Sequence, residues 1–165
     1  MTITLNGTTG IQTPLGSASA PADSNTTNSN SGLYFPTGTS VALAANGANA
    51  LTADTTGVSD SVGNLRTIPI NSQTTGYTLV ATDNGKFISI TTGGVTVPAS
   101  IFSAGQNVVI FNNSGSSQTI TQGTSVTMTL AGSATTGNRT LAQYGVATVL
   151  CTGSNTFVIT GQGLT

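Results

Sequence analysis

The chain has almost nothing from which a surface helix could be built. It contains no Glu and a single Lys, whereas Thr occurs 33 times and Gly 21 times among many Ser, Asn and Ala residues. Threonine, like Val and Ile, suits an extended backbone, and Gly, Asn and Ser favour turns. We therefore expect an all-β protein of many short strands joined by tight turns.

Charged side chains are as scarce as helix formers. Three basic residues, four aspartates and no His give a formal net charge of −1. Acid–base catalysis, zinc or calcium binding and phosphate neutralisation each need titratable or charged groups in numbers. The composition thus predicts a protein that is not an enzyme, takes no cofactor and no metal, and binds no nucleic acid.

The one cysteine, Cys151, lies in the apolar run VATVLCTG, where a buried structural thiol is expected. A serine nucleophile would depend on Lys86 alone as its base. The opening MTITLNGTTG has neither a basic segment nor a long apolar one, and no stretch approaches the ~20 apolar residues of a membrane span. We therefore expect neither secretion by the usual bacterial route nor membrane insertion.

The composition changes along the chain in three steps. Residues 1–32 include a short alternating start and then the polar stretch 14–32, which has almost nothing to bury and would become ordered when a neighbour holds it. We predict that 1–32 is an extended N-terminal attachment arm. Residues 33–76 are predicted to form a short β-hairpin or trimerisation region followed by a linker-like stretch, 59–76. Residues 77–165 are predicted to be a C-terminal antiparallel β-sandwich or barrel.

The middle region carries a clear hairpin signal. Asn46-Gly47 separates two short apolar runs, and both positions of such a turn tolerate positive φ. A two-stranded hairpin is marginal alone, so we expect further copies to pack against it around a common axis. The predicted contacts of a homotrimer are Leu33, Tyr34, Phe35, Leu43 and Leu51.

In the C-terminal region, turn signals recur about every ten residues. Asp83-Asn84-Gly85 is expected to join two strands of a hairpin, and a last hairpin is expected to turn at residues 152–155. The alternation of apolar residues predicts the following core: Leu79, Ile88, Ile90, Val97, Val109, Phe111, Ile120, Met128, Leu130, Val149, Phe157 and Ile159.

Polar loops are the candidate recognition sites, although turn formation accounts for the same residues. Exposed Tyr77 and Tyr144 could stack on a sugar ring, but aromatic residues in a small β domain more often lie in the core or at an interface. The candidate receptor-facing residues of the loops 83–86, 112–118 and 152–155 are Asp83, Asn84, Lys86, Asn113, Ser114, Ser154 and Asn155.

Three segments together carry a resemblance to a known group of proteins. They are MTITLNGTTGIQTP, GLYFPTGTSVALAANGANALT, and a long stretch beginning YTLVATDNGKFISITTGGVTVPASIFSAGQNVVIFNNSGSSQTITQG and ending GNRTLAQYGVATVLCTGSNTFVITGQG. The chain resembles tail-fibre and related virion surface proteins of tailed bacteriophages. The resemblance implies a non-enzymatic homotrimer made in the host bacterial cytoplasm, attached to a capsid or tail protein by its N-terminal arm and exposed on the virion surface.

Two alternatives stay open. The chain is short and has no long repetitive shaft, so a capsid decoration or cement protein that stabilises the head is an alternative to a short trimeric surface fibre that contacts the host. A carbohydrate-binding module that recognises a host surface glycan through the polar loops is the third reading. A bacterial adhesin fits less well, because no signal sequence and no paired cysteines are present.

Overall fold

The structure is a computed structural model that describes residues 4–6 and 10–165, with side chains described from residue 13 onward. Within these residues it is all-β, with one short 3-10 helix, Ala81–Asp83, and no α-helix. The chain divides into two compact units, Met1–Thr67 and Ile68–Thr165, here called the N-terminal and C-terminal units. The strands are β1 Thr4–Asn6, β2 Gly10–Gln12, β3 Asp23–Ser24, β4 Gly32–Tyr34, β5 Val41–Ala45, β6 Ala48–Asp54, β7 Gly57–Ser59, β8 Ile70–Gln73, β9 Tyr77–Thr78, β10 Phe87–Ile90, β11 Val95–Val97, β12 Asn107–Asn112, β13 Gln118–Gln122, β14 Thr127–Leu130, β15 Arg139–Gly153 and β16 Thr156–Leu164.

The N-terminal unit contains a five-stranded antiparallel sheet in the order β3-β4-β5-β6-β7 and a separate β1–β2 hairpin. Asn46 and Gly47 turn the chain between β5 and β6 with φ of 50° and 78°, so the predicted hairpin is confirmed. One side of this sheet buries Tyr34, Ala42 and Ala44, with Ala18 packed against them. This core is very small because two of its three members are alanines.

The polar stretch 14–32 makes hydrogen bonds within its own unit. The Leu15 carbonyl accepts from the Phe35 amide at 2.7 Å, and the Asn30 carbonyl accepts from the Gly47 amide at 2.7 Å. The Asn46 amide donates to Ser31 Oγ at 2.8 Å. Backbone and hydroxyl hydrogen bonds, together with the buried Ala22, therefore hold this stretch within its unit.

The C-terminal unit is a stack of three coils, each of which gives one strand to each of two parallel ladders. The first ladder is β8-β10-β12 and the second is β9-β11-β13. β15 pairs antiparallel with both β12 and β13, so it joins the two ladders at the third coil. These seven strands, together with β14 and β16, form a nine-stranded sheet that curls into a nearly barrel-shaped layer.

The prediction of an all-β C-terminal domain is confirmed, but the prediction that it is antiparallel is wrong for five of the eight strand pairs in the large sheet. The predicted hairpin across Asp83-Asn84-Gly85 does not form, because the 3-10 helix carries the chain from one ladder to the other. The last hairpin does form, and Gly153 pairs with Thr156 beside its turn. The stretch 59–76 is not only a linker, since β8 is part of the sheet.

Close coil stacking explains a pair of glycines between β10 and β11. Gly94 has φ of +69°, and a Cβ there would lie 2.2 Å from the Thr119 carbonyl oxygen of the next coil. At Gly93, a Cβ would lie 2.4 Å from the Gly76 amide nitrogen of the preceding coil. These positions accept only glycine because the backbones of successive coils touch at this corner.

The core of the C-terminal unit fills the interior of the coils with seventeen buried side chains. Most of the predicted core residues belong to it, but Val109, Phe111 and Leu130 are only half-buried. In β12 the buried side chains are those of Val108, Ile110 and Asn112, so the prediction chose the wrong face of this strand. Every position from 108 to 111 is apolar, and a strand of this kind does not show by alternation which face is inside.

Candidate interaction surfaces

A row of leucines crosses the N-terminal sheet on the side opposite its small core. Leu33 pairs with Leu43, and Leu43 pairs with Leu51, which places the three side chains in line across β4, β5 and β6. The next row on the same side contains Val41, which pairs with Ala53, and Ala53 in turn pairs with Val58. Leu43 is 47% exposed and Val41 is 42% exposed. We call these six residues the leucine face.

Three of the five predicted trimer contacts therefore share one accessible surface, and two do not belong to it. Tyr34 is only 6% exposed and points to the opposite side of the sheet, because side chains alternate along a strand. Its assignment as a trimer contact is corrected: it is a core residue of its own unit. Phe35 follows β4 and is half-buried.

Asp83 was predicted to face a receptor and is instead fully buried. Its Oδ2 accepts hydrogen bonds from the Tyr77 hydroxyl at 2.8 Å and from the Val80 amide at 2.9 Å. Its Oδ1 accepts from Asn71 Nδ2 at 2.9 Å and lies 4.0 Å from Lys86 Nζ. The carboxylate thus ties the 3-10 helix to the first coil.

These contacts belong to a polar group that fills the interior of the first coil. Asn71 Nδ2 also donates to the Tyr77 hydroxyl at 3.1 Å, and Gln73 Nε2 donates to Asn71 Oδ1 at 2.6 Å. Burial raises the pKa of the Tyr77 phenol, and the hydrogen bond that the phenol donates to Asp83 raises this pKa further. The second and third coils have Ile88 and Ile110 at the positions level with Asn71, so this polar group caps the open end of an apolar core.

The other predicted loop residues form two groups that lie beyond opposite ends of the strands. Asn84 Oδ1 accepts from the Asn107 amide at 3.1 Å, and Asn107 pairs with Leu150, near the 152–155 turn. One strand end therefore carries Asn84, Lys86, Ser154 and Asn155. Asn113 and Ser114 follow the other end of β12, so the structure does not bring the three loops together.

Several of these side chains hold their own loops in place. Asn155 Oδ1 accepts from the Ser100 amide at 2.8 Å. Ser114 Oγ donates to Asn112 Oδ1 at 2.6 Å, and the buried Asn112 Nδ2 donates to the carbonyls of Ser116, Leu141 and Ala142. The contacts of Asn155 and Ser114 occupy polar groups that a glycan would otherwise use.

The two tyrosines considered for sugar stacking have different environments. The Tyr77 hydroxyl is committed to Asp83, and its ring is half-buried. Tyr144 is 64% exposed and has φ of +57° at an irregular point in the pairing of β15 with β16. An exposed aromatic ring on a strained backbone is a feature that favours a glycan contact.

Sequence reasoning missed an apolar surface on the C-terminal unit. The outward side chains of the β8-β10-β12-β15-β16 region include a row in which Ile70, Phe87 and Val109 pair in succession. In neighbouring rows, Phe111 pairs with Val146, and Leu150 pairs with Val158. Ile70 is 69% exposed. The face is defined by Ile70, Phe87, Val109, Phe111, Val146, Leu150 and Val158, and we call it the apolar face.

Within residues 4–6 and 10–165, no three His, Cys, Asp or Glu side chains are grouped so that they could hold a metal ion. Cys151 is buried, and its thiol donates to the carbonyls of Phe102 and Gly153. No helix in the described part of the chain has the length and apolar character needed to cross a membrane. Comparisons with protein-family models, curated proteins and solved structures find no match to this chain.

Proposed function

We propose that the chain is a non-enzymatic structural subunit of a bacteriophage virion, a short trimeric surface fibre whose copies associate through the leucine face. The observation that carries this proposal is the alignment of Leu33, Leu43 and Leu51 on the accessible side of a sheet whose own core is minimal. The identification with a phage particle rests on the sequence resemblance to tail-fibre and related virion proteins.

The energetic argument for association concerns the N-terminal unit. Burying a leucine side chain stabilises a protein by roughly 1.5–3 kcal/mol, and the Leu43 side chain, which is 47% exposed, obtains only part of this in a single chain. Two of the three side chains in the core cluster of this unit are alanines, which bury little area. Copies that cover each other's leucine faces would supply the missing apolar burial.

The direct test is the mass of the native full-length chain, measured by analytical ultracentrifugation and native mass spectrometry. We expect a trimer, and we expect Leu43→Thr combined with Leu51→Thr to shift the population toward monomer. Leu65→Thr is the matched control, because Leu65 is 58% exposed outside the leucine face. A monomeric wild-type chain at all accessible concentrations would refute the proposal.

Attachment to the particle requires a separate experiment. Removing residues 1–13 leaves β3 to β7 in the chain, so it tests the first part of the arm without cutting the five-stranded sheet. We expect the truncated chain to remain trimeric and to be lost from purified particles. Retention on the particles would show that attachment does not depend on these residues.

A capsid decoration or cement protein is the second candidate, and its effect would be seen on the head. Removal of such a protein is expected to lower the temperature at which capsids release their DNA, whereas removal of a fibre is expected to reduce adsorption to host cells. The exposed ring of Tyr144 favours a third candidate, glycan recognition. In that case Tyr144→Ala should abolish glycan-array binding, and Tyr77→Ala should affect it only through folding.

A further inference from the structure

We propose that the apolar face of the C-terminal unit is a second self-association surface, which packs against the same face of another copy of this chain. This inference extends the proposed self-assembly, but it concerns a different unit and different residues from the leucine face. In a trimer, three copies of the apolar face would surround the molecular axis.

The opposite side of the same coils is an internal control for composition. Thr78 pairs with Thr96, Thr96 pairs with Thr121, and Thr119 pairs with Thr140. The outward positions of the second ladder are thus occupied by threonine, and we call them the threonine face. Each ladder takes one strand from each of the three coils, yet only the first ladder presents Ile, Phe and Val side chains outward.

The fold does not require apolar side chains at the outward positions of the first ladder. The coils already have a core of seventeen buried side chains on their inner side. Threonine is as good a strand former as valine, and the threonine face demonstrates that the ladder geometry accepts it. Contiguous apolar patches of a few hundred Å² on a monomer commonly mark interaction sites.

The lack of charge on the apolar face argues against partners that are held by charge. The outward rows of the apolar face contain Ser72, Asn107 and Thr148 beside the apolar residues, and no ionisable side chain. An anionic membrane or a nucleic acid would be held by Lys and Arg, which these rows lack. Copies of a chain with net charge −1 repel one another very little, so another copy matches this face electrostatically.

The aromatic residues of the face also argue against a sugar ligand. The rings of Phe87 and Phe111 stack on each other, with centroids 5.7 Å apart and an interplanar angle of 28°. Each ring therefore uses one of its faces on the other. A surface of this kind packs against aliphatic side chains of a facing copy more readily than against a pyranose.

The apolar face is smaller than a standard interface. A standard interface buries ~800 Å² on each partner with about 20–30 residues, so a face with about ten outward positions supplies roughly 300–400 Å². Counted on both copies this is about 600–800 Å², below the ~1,000 Å² of a stable specific interface, so we expect association through this face to be weak on its own.

The test is thiol cross-linking of the full-length chain with a short bismaleimide. Val146→Cys places a thiol on the apolar face, at a residue that is 38% exposed. Thr119→Cys is the control on the threonine face, and the wild type controls for the buried Cys151. We expect the yield of cross-linked multimers from Val146→Cys to exceed the yield from either control about tenfold, because a well-packed interface holds the two thiols close together.

Each outcome has a defined meaning. Equal yields from Val146→Cys and Thr119→Cys, or no cross-link in a chain that is oligomeric by mass, would overturn this inference and leave the leucine-face proposal standing. That result would also be expected if a different protein covers the apolar face. Undiminished Val146→Cys cross-linking in the Leu43→Thr, Leu51→Thr background would support this inference and refute the leucine-face contact.

A second measurement protects the test against misfolding. Val109→Asp adds a charge to the apolar face at a half-buried position, and Thr121→Asp adds one to the threonine face. We expect the first to raise the concentration for half-association about tenfold or more and the second to leave it unchanged, with matching circular dichroism spectra. Equal association constants for the two variants would contradict the inference.

Discussion

The two units of this chain solve the same stability problem in different ways. Both are built from Thr, Gly, Ser and short apolar runs, but the N-terminal sheet buries three hydrophobic side chains, whereas the C-terminal coils bury seventeen. The difference comes from topology. A single sheet has no inner space, while coils that return above themselves enclose one between two ladders.

This contrast implies that the two units depend differently on other copies. The C-terminal unit contains a core of a size that supports an independent domain, and its apolar face remains as surplus. The N-terminal unit has little core to lose, and Val41 and Leu43 of its leucine face are accessible. Dilution should therefore affect the N-terminal unit first.

The largest effect should come from truncating the core of the C-terminal unit. Ile110 is fully buried, so Ile110→Ala should lower the free energy of unfolding of that unit by about 2–5 kcal/mol, because it leaves a cavity. Leu65→Ala, at an exposed position of the N-terminal unit, should change the free energy of unfolding of the N-terminal unit by less than about 0.5 kcal/mol. Urea unfolding followed by hydrogen exchange of each unit measures both. Similar losses would break the comparison.

The polar cap of the first coil should be nearly as sensitive. Asp83→Ala removes the acceptor for Tyr77, Asn71 and the Val80 amide, so we expect a loss of about 2–3 kcal/mol in the C-terminal unit. The counterpart in the N-terminal unit is Asp54, which accepts from the Thr56 amide and hydroxyl at 2.7 and 2.6 Å but is fully exposed. Asp54→Ala should leave the unfolding midpoint nearly unchanged, and an equal shift would argue against the cap.

Alkaline pH should act on the C-terminal unit through Tyr77. Its folded pKa is raised, so the contribution is complete below the unfolded-state value of about 10 and is lost as the pH rises through the folded pKa. Tyr77→Phe should remove this component of the pH dependence. Thermal unfolding between pH 9 and 12 measures the difference, and parallel curves for the two proteins would show that Tyr77 does not carry it.

Acid should act on the N-terminal unit, with the smallest effect. Hydrogen bonds from the Thr56 hydroxyl and amide lower the pKa of Asp54 from its usual value of 3.8. The β6–β7 turn is therefore stabilised above pH 3.8, and this is lost as the pH falls through the lowered pKa of Asp54. An NMR titration of the Thr56 amide should show it, and Thr56→Ala should return the Asp54 pKa toward 3.8. An unchanged pKa would contradict the assigned cause.

Local sequence signals located most strands but not their partners. The Asn46-Gly47 hairpin was predicted because both of its strands are adjacent in sequence and its turn chemistry is local. The Asp83-Asn84-Gly85 signal misled, since the same residues can end a 3-10 helix that leads to a different ladder. Parallel pairing joins residues about twenty positions apart, such as Phe87 and Val109, and no local pattern records it.

The candidate surfaces divide in the same way. Leu33, Leu43 and Leu51 were predicted to act together. The local Asn46-Gly47 turn aligns Leu43 with Leu51, and the separate β4–β5 pairing aligns Leu33 with Leu43. The apolar face was missed, since Val109 and Phe111 were assigned to the core of a strand that is apolar on both sides. Asp83 was misplaced because a polar residue beside Asn-Gly is normally exposed.

By itself, the sequence determined the all-β class, the Asn46-Gly47 hairpin and the last hairpin, since these depend on residue type and immediate neighbours. Only the tertiary structure decided which strands pair, which side of β12 is inside, and that Asp83 closes the end of a core. Those outcomes depend on contacts between distant coils, whose free energy is set by how the whole unit packs.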